Sequence, residues 1–198
     1  NTAPIILFEP TNQTVCAGSP VSFFVVASGT NLTYQWRKGN NIIVGATSAT
    51  LTINPVTLAD IASTYNVIVS GTCSPSDTSI FVSLTVNTAP IITTEPANQT
   101  VCAGNSVSFT VAATGTNITY QWRKGNTIIV GATNDTLTIN PASINDTAFN
   151  YNVIVSGTCF PSDTSINVRL IVNPIPVATL SSNSPVCEGT PINLNVIA

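Results

Sequence analysis

Tyr34-Gln35-Trp36-Arg37-Lys38-Gly39 decides the fold, and it returns as Tyr120-Gln121-Trp122-Arg123-Lys124-Gly125. Both tryptophans of the chain lie in these stretches. Successive side chains on a strand point to opposite faces, so Tyr34 and Trp36 share one face and Gln35 and Arg37 the other. A mid-strand tryptophan flanked by polar residues and followed by a Gly-Asn turn predicts the packing centre of a two-sheet sandwich.

The recurrence extends outward from the tryptophans. Trp122 follows Trp36 by 86 residues, and Cys102 follows Cys16, and Cys159 follows Cys73, at the same offset. Residues 1–86 and 87–172 pair at roughly three quarters identity, the mark of tandem duplication. A third copy opens at Asn173, where Cys187-Glu188-Gly189-Thr190-Pro191-Ile192 tracks Cys16-Ala17-Gly18-Ser19-Pro20-Val21. Residues 173–198 therefore read as its truncated start. Two strands cannot bury a core alone, so this stretch is expected to lean on the second copy or on further chain.

Within a copy the strands are short and bounded by turn residues. Ile5-Ile6-Leu7-Phe8 opens the first and Val21 to Ala27 forms the second; the tryptophan strand follows. Then come Ile42-Ile43-Val44, Thr50-Leu51-Thr52-Ile53, Tyr65 to Val69, and Ile80 to Val86. The copies orient the second strand. Val21, Phe23, Val25 and Ala27 recur unchanged, whereas Phe24 and Val26 become Thr110 and Ala112. The recurring set is the core face and the exchanged set faces outward. This pattern predicts an all-β chain. Asn87-Thr88-Ala89-Pro90 is a short, proline-stiffened connection between copies.

Composition agrees. Val, Ile and Thr are abundant, Met and His are absent, and only 7% of residues are charged, against about 25% in an average globular protein. Net charge is −3, and the basic residues are Arg37-Lys38, Arg123-Lys124 and Arg169. That is no nucleic-acid footprint. No apolar run approaches the roughly 18 residues of a membrane span. Asn1 is not an initiator, so the chain is expected to be a mature or excised piece of something longer.

Chemistry is sparse. Without histidine there is no serine–histidine or cysteine–histidine nucleophile pair. The eight acids stand singly, and nothing pairs two carboxylates. Asp77 and Asp163, in the Pro-Ser-Asp-Thr-Ser loops, are the best calcium candidates, but hydrogen bonding within their own turns is the favoured reading. No zinc or phosphate-loop spacing occurs. We expect no enzyme, cofactor or metal. Arg37-Lys38 reads as a solvated strand end or an edge charge against aggregation. Phe24 and Phe81 become Thr110 and Asn167, so they form no site shared by the copies.

Taken together, the residues resemble the immunoglobulin superfamily, most closely Ig-like repeats in large surface adhesins of gliding, outer-membrane bacteria. Val21 to Val25 resembles strand B, Tyr34-Gln35-Trp36 strand C, Thr50 to Ile53 strand E, and Tyr65-Asn66-Val67 strand F. The resemblance implies tandem β-sandwiches arranged end to end, with Trp36, Tyr65, Trp122 and Tyr151 in the cores and Tyr65 as a tyrosine corner. Two departures stand out. The inter-sheet disulfide positions are held by Val25 with Val67 and Val111 with Val153, and Asp60 lies one residue farther from Tyr65 than usual.

Cys16 with Cys73, and Cys102 with Cys159, would be the ordinary intradomain pairs of a secreted module. In the topology the resemblance implies, Cys16 lies in the turn before strand B and Cys73 in the loop after strand F. These sit at opposite ends of the sandwich, on the order of 20 Å apart, whereas a disulfide spans a Cα separation of only about 4.4–6.8 Å. The preferred expectation is a bridge between successive copies, Cys16–Cys159. Cys73, Cys102 and Cys187 would then seek neighbouring modules outside this sequence. Intradomain bridges and free thiols stay open as alternatives.

The resemblance also suggests O-glycan acceptors in Asp-Thr-apolar triplets, which Thr136 and Thr147 fit. The function it implies is a stalk or filament segment of a secreted protein on the bacterial surface. Its partners would be adjacent repeats of the same chain and other chains of a surface filament. The alternatives are a carbohydrate- or protein-binding module, and a non-catalytic appendage of a secreted hydrolase.

Overall fold

The computed structural model describes residues 1–177, 179–182 and 184–197. It is all-β, with no α-helix among the described residues. The chain divides into two compact units. One is Asn1–Ile91 with Ala113–Thr119 and Val155–Asp163; the other is Ile92–Ala112, Tyr120–Ile154 and the chain from Thr164.

The first copy carries β1 (Ile5–Phe8), β2 (Gln13–Cys16), β3 (Val21–Phe24), β4 (Val26–Ser28), β5 (Thr33–Lys38), β6 (Asn41–Ile42), β7 (Thr50–Ile53), β8 (Ala62–Ser70), β9 (Asp77–Thr78) and β10 (Val82–Asn87). One sheet runs β2-β10-β8-β5-β6, with β9 on β8. The pairs β1-β4 and β3-β7 make up the facing layer. The second copy repeats this with β11 (Ile91–Thr94), β12 (Gln99–Cys102), β13 (Val107–Thr110), β14 (Ala112–Thr114), β15 (Thr119–Lys124), β16 (Thr127–Ile128), β17 (Thr136–Ile139), β18 (Ala148–Ser156), β19 (Asp163–Thr164) and β20 (Val168–Asn173). Beyond it, β21 (Thr179–Ser182) pairs antiparallel with β22 (Leu194–Ile197).

The cores form where alternation places them. Val21, Phe23 and Val25 are buried while Phe24 and Val26 are exposed. Trp36 and Trp122 are fully buried, each ring near a phenylalanine, Phe23 and Phe109 respectively. Each indole Nε1–H donates to a backbone carbonyl, Ser48 in one copy and Asn134 in the other, both at 2.9 Å. A buried tryptophan needs such a partner for its one donor. Val25 and Val67, at the disulfide positions of the resembling family, fill the first core as hydrophobes.

Three expectations need correction. Cys16 is the last residue of strand β2, not part of a turn, and β2 lies parallel to β10 with Cys16 opposite Asn87. The run Ile42-Ile43-Val44 contributes only Ile42 to a strand, because Ile43 N–H turns back to the Trp36 carbonyl and Val44 is exposed. Lys38 is neither an edge charge nor a freely solvated end. Strand β5 is paired on both sides there, and Lys38 Nζ donates to the Ala59 carbonyl (2.6 Å) over the Tyr65 ring. A lysine stem laid along an aromatic ring with its ammonium bonded is a packing element.

Candidate functional site

The site is built around a disulfide. Cys16 and Cys159, 143 residues apart in sequence, are bonded with a Cα–Cα separation of 5.8 Å, inside the first compact unit. Two frames position the pair. On the Cys16 side, Ala17 N–H donates to the Asn87 carbonyl and Gly18 N–H to the Val56 carbonyl, both at 2.8 Å. On the Cys159 side, Thr158 N–H donates to the Thr116 carbonyl (3.0 Å) and Asn117 Nδ2 to Thr158 Oγ1 (3.1 Å). Asn117 has φ +51°, in the left-handed region that asparagine tolerates better than most residues. Gly157 is required, since a Cβ there would lie 2.9 Å from the Thr116 carbonyl oxygen. Cys159 is 2% exposed.

The connection beside this bond is equally fixed. Strand β10 ends at Asn87 and β11 begins at Ile91. Thr88 donates its N–H to Thr116 Oγ1 (3.0 Å) and accepts from Thr116 N–H (3.1 Å). Thr88 thus has both its backbone polar groups satisfied.

The other cysteines repeat the two frames without a bond. Cys102 ends β12 opposite Asn173, with Ala103 N–H on the Asn173 carbonyl (2.9 Å) and Gly104 N–H on the Ala142 carbonyl (2.8 Å). Cys73 follows Thr72, whose N–H meets the Thr30 carbonyl (2.9 Å) and whose Oγ1 accepts from Asn31 Nδ2 (3.0 Å). Cys73 is a half-buried thiol, and Cys102 and Cys187 are exposed thiols.

The remaining candidates lie elsewhere. Tyr65 and Tyr151 are buried, and each hydroxyl donates to a carbonyl five residues back, Asp60 and Asp146, at 2.7 Å. Their pKa values are pushed up to about 12, first by burial and then by the neighbouring Asp60 or Asp146 charge. The extra residue between Asp60 and Tyr65 falls in a bulge of β8, where Ala62 to Tyr65 spans only Leu84 to Val82 of β10; ahead of it, in the 3₁₀ turn Leu58–Asp60, Asp60 Oδ2 accepts from both Thr57 N–H and Oγ1–H at 2.8 Å. Thr136 sits opposite Thr110 in the β13–β17 ladder and is half-buried. Thr147 is half-buried too, and its Oγ1 accepts the Val172 N–H at 3.1 Å.

The acids serve the backbone. Asp77 Oδ2 accepts Ile6 N–H at 2.7 Å across 71 residues, and its Oδ1 accepts Thr78 N–H. Glu9 and Glu95 take the N–H groups of Ile80 and Ile166. The carboxylates thereby satisfy backbone donors of β1, of β9 and of the segments that follow β9 and β19. Among the described residues no group of three or more His, Cys, Asp or Glu is placed to hold a metal ion. What the arrangement offers chemically is thiol–disulfide chemistry at the ends of β2 and β12 and in the loops after β8 and β18.

No family model matches the chain. It is 32% identical over 148 residues to the highly immunogenic outer capsid protein of Enterobacteria phage T4, covering 66% of this chain and 39% of that protein. It is 30% identical over 120 residues to endoglucanase C of Cellulomonas fimi, covering 58% of this chain and 11% of that enzyme. The chain thus spans well under half of either relative. Among solved structures, an I-band fragment of titin matches with a TM-score of 0.70 at 20% identity, over 88% of this chain and 67% of that one. The two-domain D1–D2 fragment of Rst matches with a TM-score of 0.68 at 19% identity, over 86% and 100%. Strand order, core and these likenesses agree: the chain is a tandem of immunoglobulin-like β-sandwich repeats.

Proposed function

We propose that the chain is a structural segment of a long secreted surface protein, a stalk or filament of 86-residue modules following one another head to tail. The observation that carries this reading is the bond from Cys16 of the first sequence copy to Cys159 of the second. A covalent tie across the copy boundary resists splaying under load, and a soluble binding module has no use for it. Disulfides persist in oxidising compartments, which fits an extracellular place. The short connection held by Thr88 and Thr116 adds stiffness at the same boundary. Function here means reach, rigidity and resistance to proteolysis.

Stretching a single chain from its ends tests this. The bond should hide the 143 residues between its cysteines, about 50 nm of contour length at roughly 3.5 Å per residue, until reductant is added. Release of the full length without reductant would sink the stalk reading. The similarity to a segment of endoglucanase C favours a second reading, a non-catalytic appendage of a secreted hydrolase. A catalytic domain in the same open reading frame would decide for it.

A further inference from the structure

We infer that Thr116 is a positioning residue for the Cys16–Cys159 bond: through the connector Asn87-Thr88-Ala89-Pro90 it holds the two cysteines in place before the bond forms. This rests on the head-to-tail reading and says what sets its joint. Asn87 carries the Cys16 half. It lies opposite Cys16 in the β2–β10 ladder, and its carbonyl accepts the Ala17 N–H at 2.8 Å. Thr88, the next residue, carries the Cys159 half. It meets Thr116 through both of its backbone groups, at 3.0 and 3.1 Å. The Thr116 carbonyl in turn takes the N–H of Thr158, the neighbour of Cys159, at 3.0 Å. Hydrogen bonds and one peptide link thus lead from one cysteine to the other without using either sulfur.

The same frame stands around the free thiols. Thr2-Ala3-Pro4 repeats Thr88-Ala89-Pro90. Thr2 N–H donates to Thr30 Oγ1 (3.0 Å), and the Thr2 carbonyl accepts from Thr30 N–H (3.2 Å). The Thr30 carbonyl takes the Thr72 N–H (2.9 Å) beside the free thiol of Cys73. The prolines are seated alike: a Cβ on Gly71 would lie 3.2 Å from Pro4 Cγ, and one on Gly157 3.3 Å from Pro90 Cγ. On the strand side, Ala103 N–H rests on the Asn173 carbonyl (2.9 Å) beside the free thiol of Cys102. Each half of the frame therefore forms without a sulfur bond. Groups held near their bonded separation meet at a high effective concentration, because little freedom remains to be lost. Thr116 joins the connector to the cysteine loop, so its hydroxyl governs that concentration.

The test follows the thiol–disulfide equilibrium of the 198-residue chain with Cys73, Cys102 and Cys187 as serine, in graded ratios of reduced and oxidised glutathione, by mass spectrometry of quenched samples. Oxidation of the pair passes two electrons and two protons to one glutathione disulfide, which leaves as two thiols. Thr116→Val removes the acceptor of the Thr88 N–H and should lower the equilibrium constant about threefold to tenfold. Thr116→Ser keeps a hydroxyl and should stay within about twofold of the parent. Thr30→Val makes the same change where the threonine meets Thr2 and not the connector, and it too should stay within about twofold. Independently, hydrogen exchange on the chain with Cys16→Ala and Cys159→Ala should find the Thr88 and Thr158 amides still far slower than unfolded amides.

An unchanged constant in Thr116→Val, an equal fall in Thr116→Ser or Thr30→Val, or exchange of those two amides at the unfolded rate would each overturn the inference. Where Thr116→Val does not fold, the exchange measurement decides. If the parent forms the Cys16–Cys159 bond and any of these outcomes appears, only this inference falls. If the parent forms no such bond, the stalk reading falls with it.

Discussion

Replacing Tyr65 and Tyr151 by phenylalanine removes two hydroxyls and leaves the rings. The ring contacts that remain are stacking on Phe23 and Phe109, at centroid separations of 5.1 and 5.2 Å, and the ammonium groups of Lys38 and Lys124. What disappears is the 2.7 Å bond to the Asp60 or Asp146 carbonyl. Leaving a part-buried carbonyl without its donor costs about 1–3 kcal/mol each. Near neutral pH the double variant should therefore be less stable by about 2–6 kcal/mol, shared between the repeats. The sign of the pH dependence follows from the raised pKa. An unfolded tyrosine ionises near pH 10, and these two when folded near about 12. Between those values the unfolded chain has released protons that the folded chain still holds, so stability falls as pH rises. The slope is at most about 1.4 kcal/mol per pH unit per tyrosine, reduced where water reaches the hydroxyl. The hydroxyls' contribution is thus whole below pH 10 and fades through pH 12. Urea unfolding followed by tryptophan fluorescence from pH 7 to 11.5, with Cys73, Cys102 and Cys187 as serine, should show parent and variant curves converging above pH 10. A gap that stays constant across that range, or a variant as stable as the parent at pH 7, would refute the reasoning.

Cys16→Ala with Cys159→Ala should lower stability by about 2–4 kcal/mol, with about 5 kcal/mol as the chain-entropy ceiling for a 143-residue separation. The gap to the parent should close when calorimetry is repeated in reductant. Phe8→Thr with Phe24→Thr removes a stacked pair of exposed rings, centroids 6.5 Å apart, and installs the residues the second copy has as Thr94 and Thr110. Stability should change by no more than about 0.5 kcal/mol per site; a loss above about 2 kcal/mol would mean that the rings pack against something.

Much of the fold was legible because the chain states it twice. Comparison of Val21-Phe23-Val25 with Phe24-Val26 separated core from surface, and the structure buries the first set and exposes the second. Strand β2 was not legible. Gln13-Thr14-Val15-Cys16 has a single aliphatic residue, and its parallel pairing with β10 joins residues about 70 apart, beyond any local pattern. The break between β3 and β4 was equally hidden. Val25 keeps its side chain in the core but gives its N–H to the Ala49 carbonyl, so one apolar run serves two partners. The capping turn Thr57-x-x-Asp60 was written in the sequence as a short motif. What could not be read was the bulge of β8 against β10 that absorbs the added residue before Tyr65, or that the hydroxyl reaches the Asp60 carbonyl and not the carboxylate. Asp77 shows the same limit: its chief partner, Ile6 N–H, is fixed by tertiary placement alone.

The differences between the copies bear on what the repeat is for. Val56, whose carbonyl takes the Gly18 N–H, becomes Ala142 and Ser74 becomes Phe160, but the loop-side frame is kept: Asn31 and Asn117, Gly71 and Gly157, Thr72 and Thr158. The outward faces are not, since Leu7, Phe8, Phe24 and Val26 become Thr93, Thr94, Thr110 and Ala112. Phe81 becomes Asn167, and in the second copy Asn167 completes a polar chain, accepting from Asn152, which in turn accepts from Arg123 Nε at 2.9 Å. In the first copy the corresponding Arg37 Nε and Asn66 Oδ1 are buried without partners. Such groups cost about 1–3 kcal/mol each. The first copy therefore carries a stability penalty at buried polar groups that Asn167 relieves in the second. Changed outward faces beside kept Asn, Gly and Thr positions are what the proposed stalk reading expects of a module that need not present a face.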